Sequence, residues 1–270
     1  MRIATYNLWN SADDWERRLD AIVDELRTLR ADFVALQEVP VEASPGQAFA
    51  AYLKKETGYF LAQYAPYDMV PDPGERPEGL AILSRFAVSG VQTNWMDGIS
   101  TDNSYAMRVQ AGVSGASLGI TNVHLDWKDE NHRAKAVVDI VGRLVGPLPA
   151  DVEILCGDFN EHDDGPVAAY LDGQREGRSR VMRTGHHWVD AVASACGMGM
   201  APATLDFAAH PRWQGAERLG RPVRFDRVYL RAIDRPMPRV MKSGLFGCDR
   251  LNRFGIIPSD HYGVFVDLDL

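Results

Sequence analysis

Residues 152–160 read VEILCGDFN and combine a largely apolar run with the polar residues that follow it. The run over residues 152–156 is typical of a strand that is buried on both faces of a sheet. Gly157 permits a sharp exit from this strand, and the side chains of Asp158 and Asn160 project from the same side. The stretch therefore predicts a buried strand that ends in two polar side chains.

The rest of the chain alternates helices with strands. Between Ser11 and Arg30, apolar residues recur at alternating steps of four and three, which predicts a helix with one buried face and Ser11 as its N-cap. Further helices are predicted between Pro45 and Gly58 and over residues 130–145. The remaining strands are predicted over residues 1–7, 33–37, 79–83, 105–113, 117–123, 223–231 and 262–268, and a surface loop over residues 66–78.

This order of elements predicts an α/β fold in a single domain over residues 1–270. The adjacent strands 105–113 and 117–123 have no helix between them, which argues against a purely parallel sheet. We therefore expect a four-layer α/β/β/α sandwich, in which two mixed β-sheets pack together and helices cover their outer faces. A chain of 270 residues can bury a core of that size.

Polar residues follow several predicted strands, where loops on a rigid scaffold commonly carry function. One such residue alone is usually part of a turn, a cap or a solvated strand end. Strand ends that deliver amide, carboxylate and imidazole groups to one edge of a sandwich are difficult to explain in that way. The candidate site residues are Asn7, Glu38, His124, Asp158, Asn160, Asp226, Asp260 and His261.

The distribution of charge bears on the kind of partner that this protein binds. The net charge of -8 argues against a protein that coats nucleic acid without specificity, because that mode requires Lys and Arg to neutralise phosphates. Residues 175–253 nevertheless hold 15 Lys+Arg and 7 Asp+Glu. Either these basic residues pair with surface carboxylates, or some of them line a face that binds an anionic substrate.

The three cysteines predict neither a disulfide framework nor a zinc site. Cys156, Cys196 and Cys248 are odd in number, widely spaced and in no metal-ligand pattern. No apolar run approaches the ~20 residues that a membrane span requires, and the N-terminus reads as a strand rather than a signal peptide. We therefore expect a cytoplasmic, monomeric protein without membrane insertion.

Seven motifs in chain order resemble those of a known family. They are Thr5-Tyr6-Asn7, Leu36-Gln37-Glu38-Val39, Gly79-Leu80-Ala81-Ile82-Leu83-Ser84, Asn122-Val123-His124-Leu125, Gly157-Asp158-Phe159-Asn160, Phe225-Asp226-Arg227 and Ser259-Asp260-His261. Together they resemble the endonuclease/exonuclease/phosphatase superfamily, which includes deoxyribonuclease-type nucleases, abasic-site endonucleases, sphingomyelinases and inositol-polyphosphate phosphatases. The resemblance implies the four-layer sandwich and a requirement for Mg²⁺ or Mn²⁺.

The resemblance also implies a role for each candidate residue. Glu38 would be the main metal ligand, with Asn7 and Asp260 near the same ion. Asp158 would orient or deprotonate the attacking water, and Asn160 would hold a phosphate oxygen. The two histidines, His124 and His261, would stabilise the pentacoordinate charge from opposite sides, with Asp226 orienting His261. Which histidine protonates the leaving oxygen stays open.

The substrate is less clearly indicated than the chemistry. Residues 223–229 and 258–263 resemble tyrosyl-DNA phosphodiesterases, which favours a phosphodiester of DNA or RNA, or a nucleic-acid end, as the substrate. Phe159 replaces the threonine that is usual there, and an expected arginine is missing after Asn160. The alternatives are a phosphodiesterase or phosphatase of a phospholipid headgroup, of the sphingomyelinase type, or of a small phosphate ester, and a non-catalytic scaffold. The scaffold alternative is disfavoured because every candidate acid and histidine is present.

Other clusters are interpreted as structural. The histidines His162, His186 and His187 lack the spacing of a known metal site, so we interpret them as solvated loop residues. Most aromatic residues between the motifs are expected in the core, namely Trp188, Phe207 and Phe246. Trp213 lies among polar and basic residues and is the first candidate for stacking on a base.

Overall fold

The computed structural model of the chain contains two large β-sheets that pack face to face. The structure describes residues 1–59, 61–67, 76–99, 102–173, 187–197, 199–207, 221–248 and 252–270. The strands are β1 (Arg2–Asn7), β2 (Phe33–Pro40), β3 (Glu42–Ser44), β4 (Gln47–Ala48), β5 (Leu61–Pro66), β6 (Glu78–Ser84), β7 (Val88–Thr93), β8 (Tyr105–Val113), β9 (Ala116–His124), β10 (Val152–Asp158), β11 (Val189–Asp190), β12 (Asp226–Ala232), β13 (Arg239–Phe246) and β14 (Gly263–Asp269). The helices are α1 (Trp15–Leu29), α2 (Phe49–Thr57), α3 (Glu130–Asp139), α4 (Pro166–Leu171) and α5 (Ala191–Cys196), and a π-helical segment, Ile140–Val145, continues α3.

Both large sheets are mixed, as predicted. Sheet I has the order β13-β14-β1-β2-β6-β5, and sheet II has the order β11-β12-β10-β9-β8-β7. In sheet I, β1 is parallel to β2 and antiparallel to β14. In sheet II, β10 is parallel to β9 and antiparallel to β12. The central strands of each sheet therefore deliver their last residues to the same edge.

Three apolar clusters hold the layers together. Between the sheets, fully buried side chains from both sheets contact one another, including Phe33, Leu80, Met107, Ile120 and Ile154. The second cluster packs α1 and α2 on sheet I, and the third packs α3 and α4 on sheet II. The predicted four-layer α/β/β/α sandwich is confirmed. Each large apolar side chain contributes about 1.5–3 kcal/mol on burial, so the strand ends rest on a rigid core.

The helix α1 begins later than predicted. Its apolar face is the predicted one, but Asp14, in the left-handed conformation, occupies the N-cap position. Ser11 lies outside the helix, and its hydroxyl accepts a hydrogen bond from the N–H of Asp13 at 3.1 Å. The prediction of Ser11 as the N-cap is therefore wrong, because the segment between β1 and α1 forms an ordered loop.

The second helix also begins later than predicted. Pro45 lies between the short strands β3 and β4 rather than in the first turn of α2, which starts at Phe49. Gly46 has a φ of +77°, which the tight turn between these strands requires. Gly58 ends α2 as predicted, and its N–H donates to the carbonyl oxygen of Lys54 at 3.3 Å.

The sequence pattern fails to predict the edge strands. β7 and β13 lie at the outer edges of sheets II and I, and each exposes apolar side chains such as Val91 and Met241. Edge strands bury little surface, so they lack a clear alternation. The strand predicted over residues 223–231 begins only at Asp226. The predicted loop over residues 66–78 lies between β5 and β6, but residues 68–75 fall outside the described part of the chain.

Candidate active site

The polar residues of sheet II lie side by side at the ends of three adjacent strands. β10 lies between β9 and β12, and Asp158 stands opposite His124 on one side and opposite Asp226 on the other. The side chain of Asp158 is only 2% exposed. Register alone therefore brings two carboxylates and an imidazole to one edge.

The glycine before Asp158 makes this pairing possible. Gly157 has a φ of +144°, and a Cβ at this position would lie 2.0 Å from the carbonyl oxygen of Val123 on β9. Any other residue would push β9 and β10 apart next to the place where Asp158 and His124 meet. The glycine in the GDFN motif is therefore required by the close approach of two strands.

Glu38 reaches the site from sheet I through a β-bulge. The register between β2 and β6 shifts between Leu36 and Val39, so β2 accommodates one extra residue. Glu38 has a φ of +50°, a left-handed conformation that costs a non-glycine residue on the order of 1–3 kcal/mol. The bulge turns the carboxylate out of the strand, where a quarter of the side chain is exposed. Local strain of this kind is common at functional sites.

Asn7 connects the two sheets. Its Nδ2 donates to Glu38 Oε1 at 2.9 Å and to Asp158 Oδ2 at 3.0 Å. Its Oδ1 accepts a hydrogen bond from the N–H of Trp9 at 2.9 Å, which assigns the orientation of the amide. Asn7 thus presents amide hydrogens to both carboxylates and holds them close together.

Both histidines face the same oxygen of Asp158. The Nε2 of His124 lies 3.9 Å from Asp158 Oδ2 and 4.0 Å from Glu38 Oε1. The Nε2 of His261 lies 3.8 Å from Asp158 Oδ2. Two imidazoles that reach one carboxylate oxygen can also reach the oxygens of a single phosphorus centre.

Asp226 forms a hydrogen bond with His261, the contact that its predicted orienting role requires. The Nδ1 of His261 lies 2.8 Å from Asp226 Oδ2, and both side chains are buried. Burial lowers the pKa of His261. The negative charges of Asp226, Asp158 and Asp260, and the hydrogen bond that Asp226 accepts from the ring, outweigh this effect. The pKa of His261 is therefore raised well above its ordinary value. The imidazolium form is favoured because acidic groups surround the ring.

A buried serine anchors Asp260 and His261 beside β1. The hydroxyl of Ser259 donates to the carbonyl oxygen of Asn7 at 2.7 Å and accepts from the N–H of His261 at 3.2 Å. Asp260 is buried next to them, at 4% exposure. The hydrogen bond from Ser259 to Asn7 therefore holds the Ser259-Asp260-His261 motif next to the Thr5-Tyr6-Asn7 motif.

Asn160 belongs to the turn that follows β10. Its N–H donates to Asp158 Oδ1 at 2.8 Å, and its Nδ2 donates to the carbonyl oxygen of Leu125 at 2.9 Å. The side-chain amide has a second N–H besides the one that binds Leu125. All eight predicted site residues thus lie in one cluster.

The chemistry of the cluster fits a hard divalent cation. Glu38, Asp158, Asp226 and Asp260 place four carboxylates at one edge, and a cation would relieve their mutual repulsion. Two buried acceptor atoms, Asp226 Oδ1 and Asn10 Oδ1, accept no hydrogen bond from the described residues. Unsatisfied buried acceptors are expected where an ion or an ordered water binds.

Two positions in the cluster could hold such an ion. The ligand atoms of Asp158, Asp226 and His261 lie within 4.8 Å of one another. Asp226 and His261 already bind each other, and all three side chains are buried. The carboxylate of Glu38 is more exposed, and the N–H of Asn10 fixes its Oε2 at 3.0 Å. Glu38 is therefore the more accessible cation ligand.

Sequence reasoning assigned no role to several residues that support the site, although two of them lie within the quoted motifs. Gln37 Nε2 donates to Asn122 Oδ1 at 2.6 Å, and Asn122 Nδ2 donates to the carbonyl oxygens of Leu36 and Ala81, which ties sheet I to sheet II. Both residues are fully buried. Their signal is a lone amide inside an apolar strand, because a buried amide must find a partner.

Two further supporting residues carry no sequence signal. The hydroxyl of Thr204 accepts from the N–H groups of Phe225 and Asp226, each at 3.1 Å, and so fixes the start of β12. The hydroxyl of Tyr67 lies 3.1 Å from His124 Nδ1. Both partners are distant in sequence, so only the packing of the sheets reveals these contacts.

The chain matches the model of the endonuclease/exonuclease/phosphatase family over residues 4–261. The chain belongs to this family. It is therefore a hydrolase that acts on phosphodiester bonds. The enzymes of this family depend on divalent metal ions. The predicted family is confirmed. A comparison with curated proteins finds no match.

Solved structures of the same family share the fold. A humanized D. rerio TDP2 with 14 mutations has 20% identity and a TM-score of 0.74, with 100% of this chain and 99% of that chain covered. Truncated Caenorhabditis elegans TDP2 has 20% identity and a TM-score of 0.72, covering 100% and 97%. The human nocturnin catalytic domain with a bound sulfate has 19% identity and a TM-score of 0.68, covering 100% and 94%. At these identities the likeness establishes the fold.

The structure describes most of the histidines and aromatic residues that the sequence analysis interprets as structural. Trp188 and Phe246 are buried in apolar clusters, whereas Phe207 is only half-buried and lies outside them. His187 is exposed near Asp172. His162 packs edge-on against Phe225 with ring centroids 5.6 Å apart. The predictions for His186 and Trp213 lie outside the described residues.

Four of the described arginines of the basic segment pair with acids. The pairs include Arg224 with Asp163 and Asp190, Arg227 with Asp163, Arg239 with Asp269, and Arg253 with Asp24. For these residues the ion-pair interpretation holds. The basic residues of ranges 174–186, 208–220 and 249–251 are not described, so a substrate-binding role for them stays a prediction. In the described parts of the chain, no helix is long and apolar enough to cross a membrane.

Proposed function

We propose that this protein hydrolyses a phosphodiester of a nucleic acid or a nucleic-acid end by in-line attack of water, with Mg²⁺ or Mn²⁺ as cofactor. The observation that carries the proposal is that the Nε2 atoms of His124 and His261 both lie within 3.9 Å of Asp158 Oδ2. A carboxylate that can activate water, between two imidazoles that can donate to phosphoryl oxygens, suits displacement at phosphorus.

Asp158 is the residue that orients the attacking water and accepts its proton. Its two oxygens are each fixed by a donor, Oδ2 by Asn7 Nδ2 and Oδ1 by the N–H of Asn160. These two hydrogen bonds fix the orientation of the carboxylate. Asn160 uses its second side-chain N–H to hold a non-bridging phosphate oxygen.

The two imidazoles stabilise the charge that develops on the phosphoryl group. His261 donates from Nε2, and Asp226 stabilises the positive charge of its ring through Nδ1. His124 donates from the side of Glu38. Donors that are already in place before the reaction contribute most where the groups around them are shielded from water, and Asp158, Asp226 and His261 are buried here.

Glu38 would hold the cation, with Asn7 and Asp260 beside it. The bulge in β2 exposes the Glu38 carboxylate, and the N–H of Asn10 orients it. When bound, Mg²⁺ or Mn²⁺ supplies Lewis-acid polarisation of the substrate phosphate. Oxygen donors on an accessible strand end suit Mg²⁺, which binds few protein ligands and keeps several waters.

Two features support a nucleic-acid substrate. Trp127 lies three residues after His124, is 71% exposed, and has the Nζ of Lys128 at 4.9 Å from its ring centroid. Leu125 ties this loop to the site, because its N–H donates to the carbonyl oxygen of Asp158 at 3.0 Å. An aromatic ring beside a lysine can stack on a base and neutralise a phosphate. A D. rerio TDP2 of TM-score 0.74 was solved with a single strand DNA product.

A substrate panel tests the proposal. The full chain is assayed with Mg²⁺ and with Mn²⁺ on single-stranded DNA, duplex DNA, a 5′-tyrosyl oligonucleotide, sphingomyelin and inositol phosphates. We expect turnover of a nucleic-acid substrate that EDTA and Asp158→Ala both abolish. Preferential turnover of sphingomyelin or inositol phosphates would replace the substrate class, and turnover that survives both treatments would reject the mechanism.

The salt dependence of binding separates the substrate classes independently of turnover. Binding of a short DNA to Asp158→Asn is measured at several salt concentrations. A nucleic-acid substrate predicts a linear fall of log affinity with log salt, with a slope of about -0.7 per phosphate contacted for a single strand. A flat response would count against nucleic acid.

A further inference from the structure

The ring of His124 is held by a phenol, whereas the ring of His261 is held by a carboxylate. The hydroxyl of Tyr67 lies 3.1 Å from His124 Nδ1. The carboxylate of Asp226 lies 2.8 Å from His261 Nδ1. A carboxylate can only accept a hydrogen bond from the N–H at Nδ1, whereas a phenol can donate a hydrogen bond to Nδ1. The two histidines are therefore not equivalent.

Tyr67 is rigidly placed. Its ring stacks on Tyr105 with centroids 3.8 Å apart and packs edge-on against Trp95 at 5.7 Å. Its N–H donates to the carbonyl oxygen of Glu78 at 3.0 Å, and Trp95 Nε1 donates to the carbonyl oxygen of Pro66 at 3.0 Å. Contacts on the ring and on the backbone thus fix the position of the hydroxyl.

The contact between Tyr67 and His124 spans the two sheets. Tyr105 on β8 stands opposite His124 on β9 in sheet II, and Tyr67 follows the end of β5 in sheet I. Burial, with smaller effects of neighbouring carboxylates, raises the pKa of Tyr67 well above its ordinary value. The phenol therefore keeps its proton and can donate it in a hydrogen bond.

We propose that Tyr67 is a positioning residue whose hydroxyl donates to His124 Nδ1 and thereby fixes the neutral imidazole as the tautomer that carries its proton on Nε2. This nitrogen faces Asp158 Oδ2 at 3.9 Å and Glu38 Oε1 at 4.0 Å, both acceptors, which agrees with a proton there. In the phosphodiesterase proposed above, on which the kinetic part of this inference rests, the Nε2–H is directed at the phosphoryl oxygens.

A matched pair of variants tests the inference by kinetics. Tyr67→Phe removes the hydroxyl that contacts His124 and keeps the stacked ring. Tyr64→Phe removes a buried hydroxyl on the same strand segment that binds no group in the described part of the chain. We expect kcat of Tyr67→Phe to fall about tenfold with KM unchanged, as for other groups that orient a functional histidine. Tyr64→Phe is expected to keep the kcat of the parent protein.

The tautomer itself provides a readout that needs no substrate. Long-range ¹H–¹⁵N correlation spectra of the full chain at alkaline pH report which ring nitrogen is protonated, and His124→Gln assigns the signals of His124. We expect a proton on Nε2 in the parent protein and in Tyr64→Phe, and a mixture of tautomers in Tyr67→Phe.

Three results would overturn the inference. They are a proton on Nδ1 of His124 in the parent protein, a Tyr67→Phe protein with the tautomer and kcat of Tyr64→Phe, and a fall in kcat without a change of tautomer. The spectrum of the parent protein decides even when Tyr67→Phe does not fold. Because the spectrum is independent of the substrate, a failed substrate panel would not be mistaken for a failed inference.

Discussion

Sheet II buries charged side chains at both ends of β10, and the two ends differ in how the charges are balanced. Near the start of the strand, Arg108 Nη2 and Glu153 Oε1 form an ion pair of 2.7 Å, and both side chains are fully buried. At its end, Asp158 is next to Asp226 and faces Glu38 across Asn7. Burial of charge therefore does not identify the site; the excess of carboxylates at an accessible edge does.

Neighbouring backbone groups also bind both members of the ion pair near the start of β10. Glu153 also accepts from the N–H of Ala150 at 2.5 Å, and Arg108 also donates to the carbonyl oxygen of Leu148 at 3.0 Å. A Cβ on Gly119 would lie 2.1 Å from Glu153 Oε2, so the glycine makes room for the pair. Glu153 Oε2, Arg108 Nε and Arg108 Nη1 bind no group in the described residues, but the two opposite charges balance each other and leave no excess of carboxylate for a cation, which is typical of a structural role.

The largest expected effect is on catalysis at the end of β10. We expect Asp158→Asn to lower kcat by about 10²–10⁴-fold, because the amide cannot accept the proton of the attacking water. The melting temperature should change little, since the relief of repulsion between carboxylates is offset by the loss of one of the two hydrogen bonds that Asp158 accepts. Steady-state kinetics and thermal unfolding measure the two effects. An Asp158→Asn protein with nearly full kcat would break the comparison, because the acid-rich edge would then not be the reaction centre.

The next effect is on stability at the start of β10. Arg108→Met leaves Glu153 buried without its partner, so the free energy of unfolding should fall by about 3–5 kcal/mol, with kcat per folded molecule unchanged. Urea unfolding and kinetics on the folded fraction measure this. The double variant Arg108→Met/Glu153→Met should recover most of the loss, because neither charge remains. A reduced kcat in the stable double variant would show that the pair contributes to the reaction.

A third prediction concerns the cation. Glu38→Gln should weaken Mg²⁺ binding by about tenfold or more, since a charged oxygen ligand becomes neutral while the bulge is retained. Calorimetric titration of the full chain with Mg²⁺ measures the affinity. Glu42→Gln, on the exposed strand β3, is the control and should bind Mg²⁺ normally. Equal affinities of the two variants would move the cation away from Glu38, toward Asp158, Asp226 and His261.

The smallest expected effect is at Trp127, an exposed residue in the loop after β9. Trp127→Ala should raise KM for a single-stranded oligonucleotide about fivefold, near the lower end of the ~1–3 kcal/mol that stacking of a base contributes. KM for bis(p-nitrophenyl) phosphate should not change, because that ester has no base to stack. Trp127→Phe should retain most of the affinity, and Met241→Ala, an exposed residue on β13, should have no effect. Equal losses on both substrates would assign Trp127 to folding instead of recognition.

Much of this protein was determined by local sequence. The apolar periodicities predicted the strands of the sheet centres and the apolar face of α1, because each residue in a regular element constrains neighbours only a few positions away. The eight residues that the motifs named lie close together, because the ends of parallel strands and the starts of their antiparallel neighbours meet at one edge. Errors fell at Ser11 and Pro45, where a cap and a first turn were inferred from residue type although the chain forms a loop and a short hairpin instead.

Tertiary structure alone decided how the cluster is supported. Tyr67 reaches His124 across 57 positions, and Asn7 reaches Asp158 across 151. The left-handed Glu38 depends on the register between β2 and β6. Such contacts arise only when two whole sheets pack, because no periodicity within one segment encodes the distance to a residue in another.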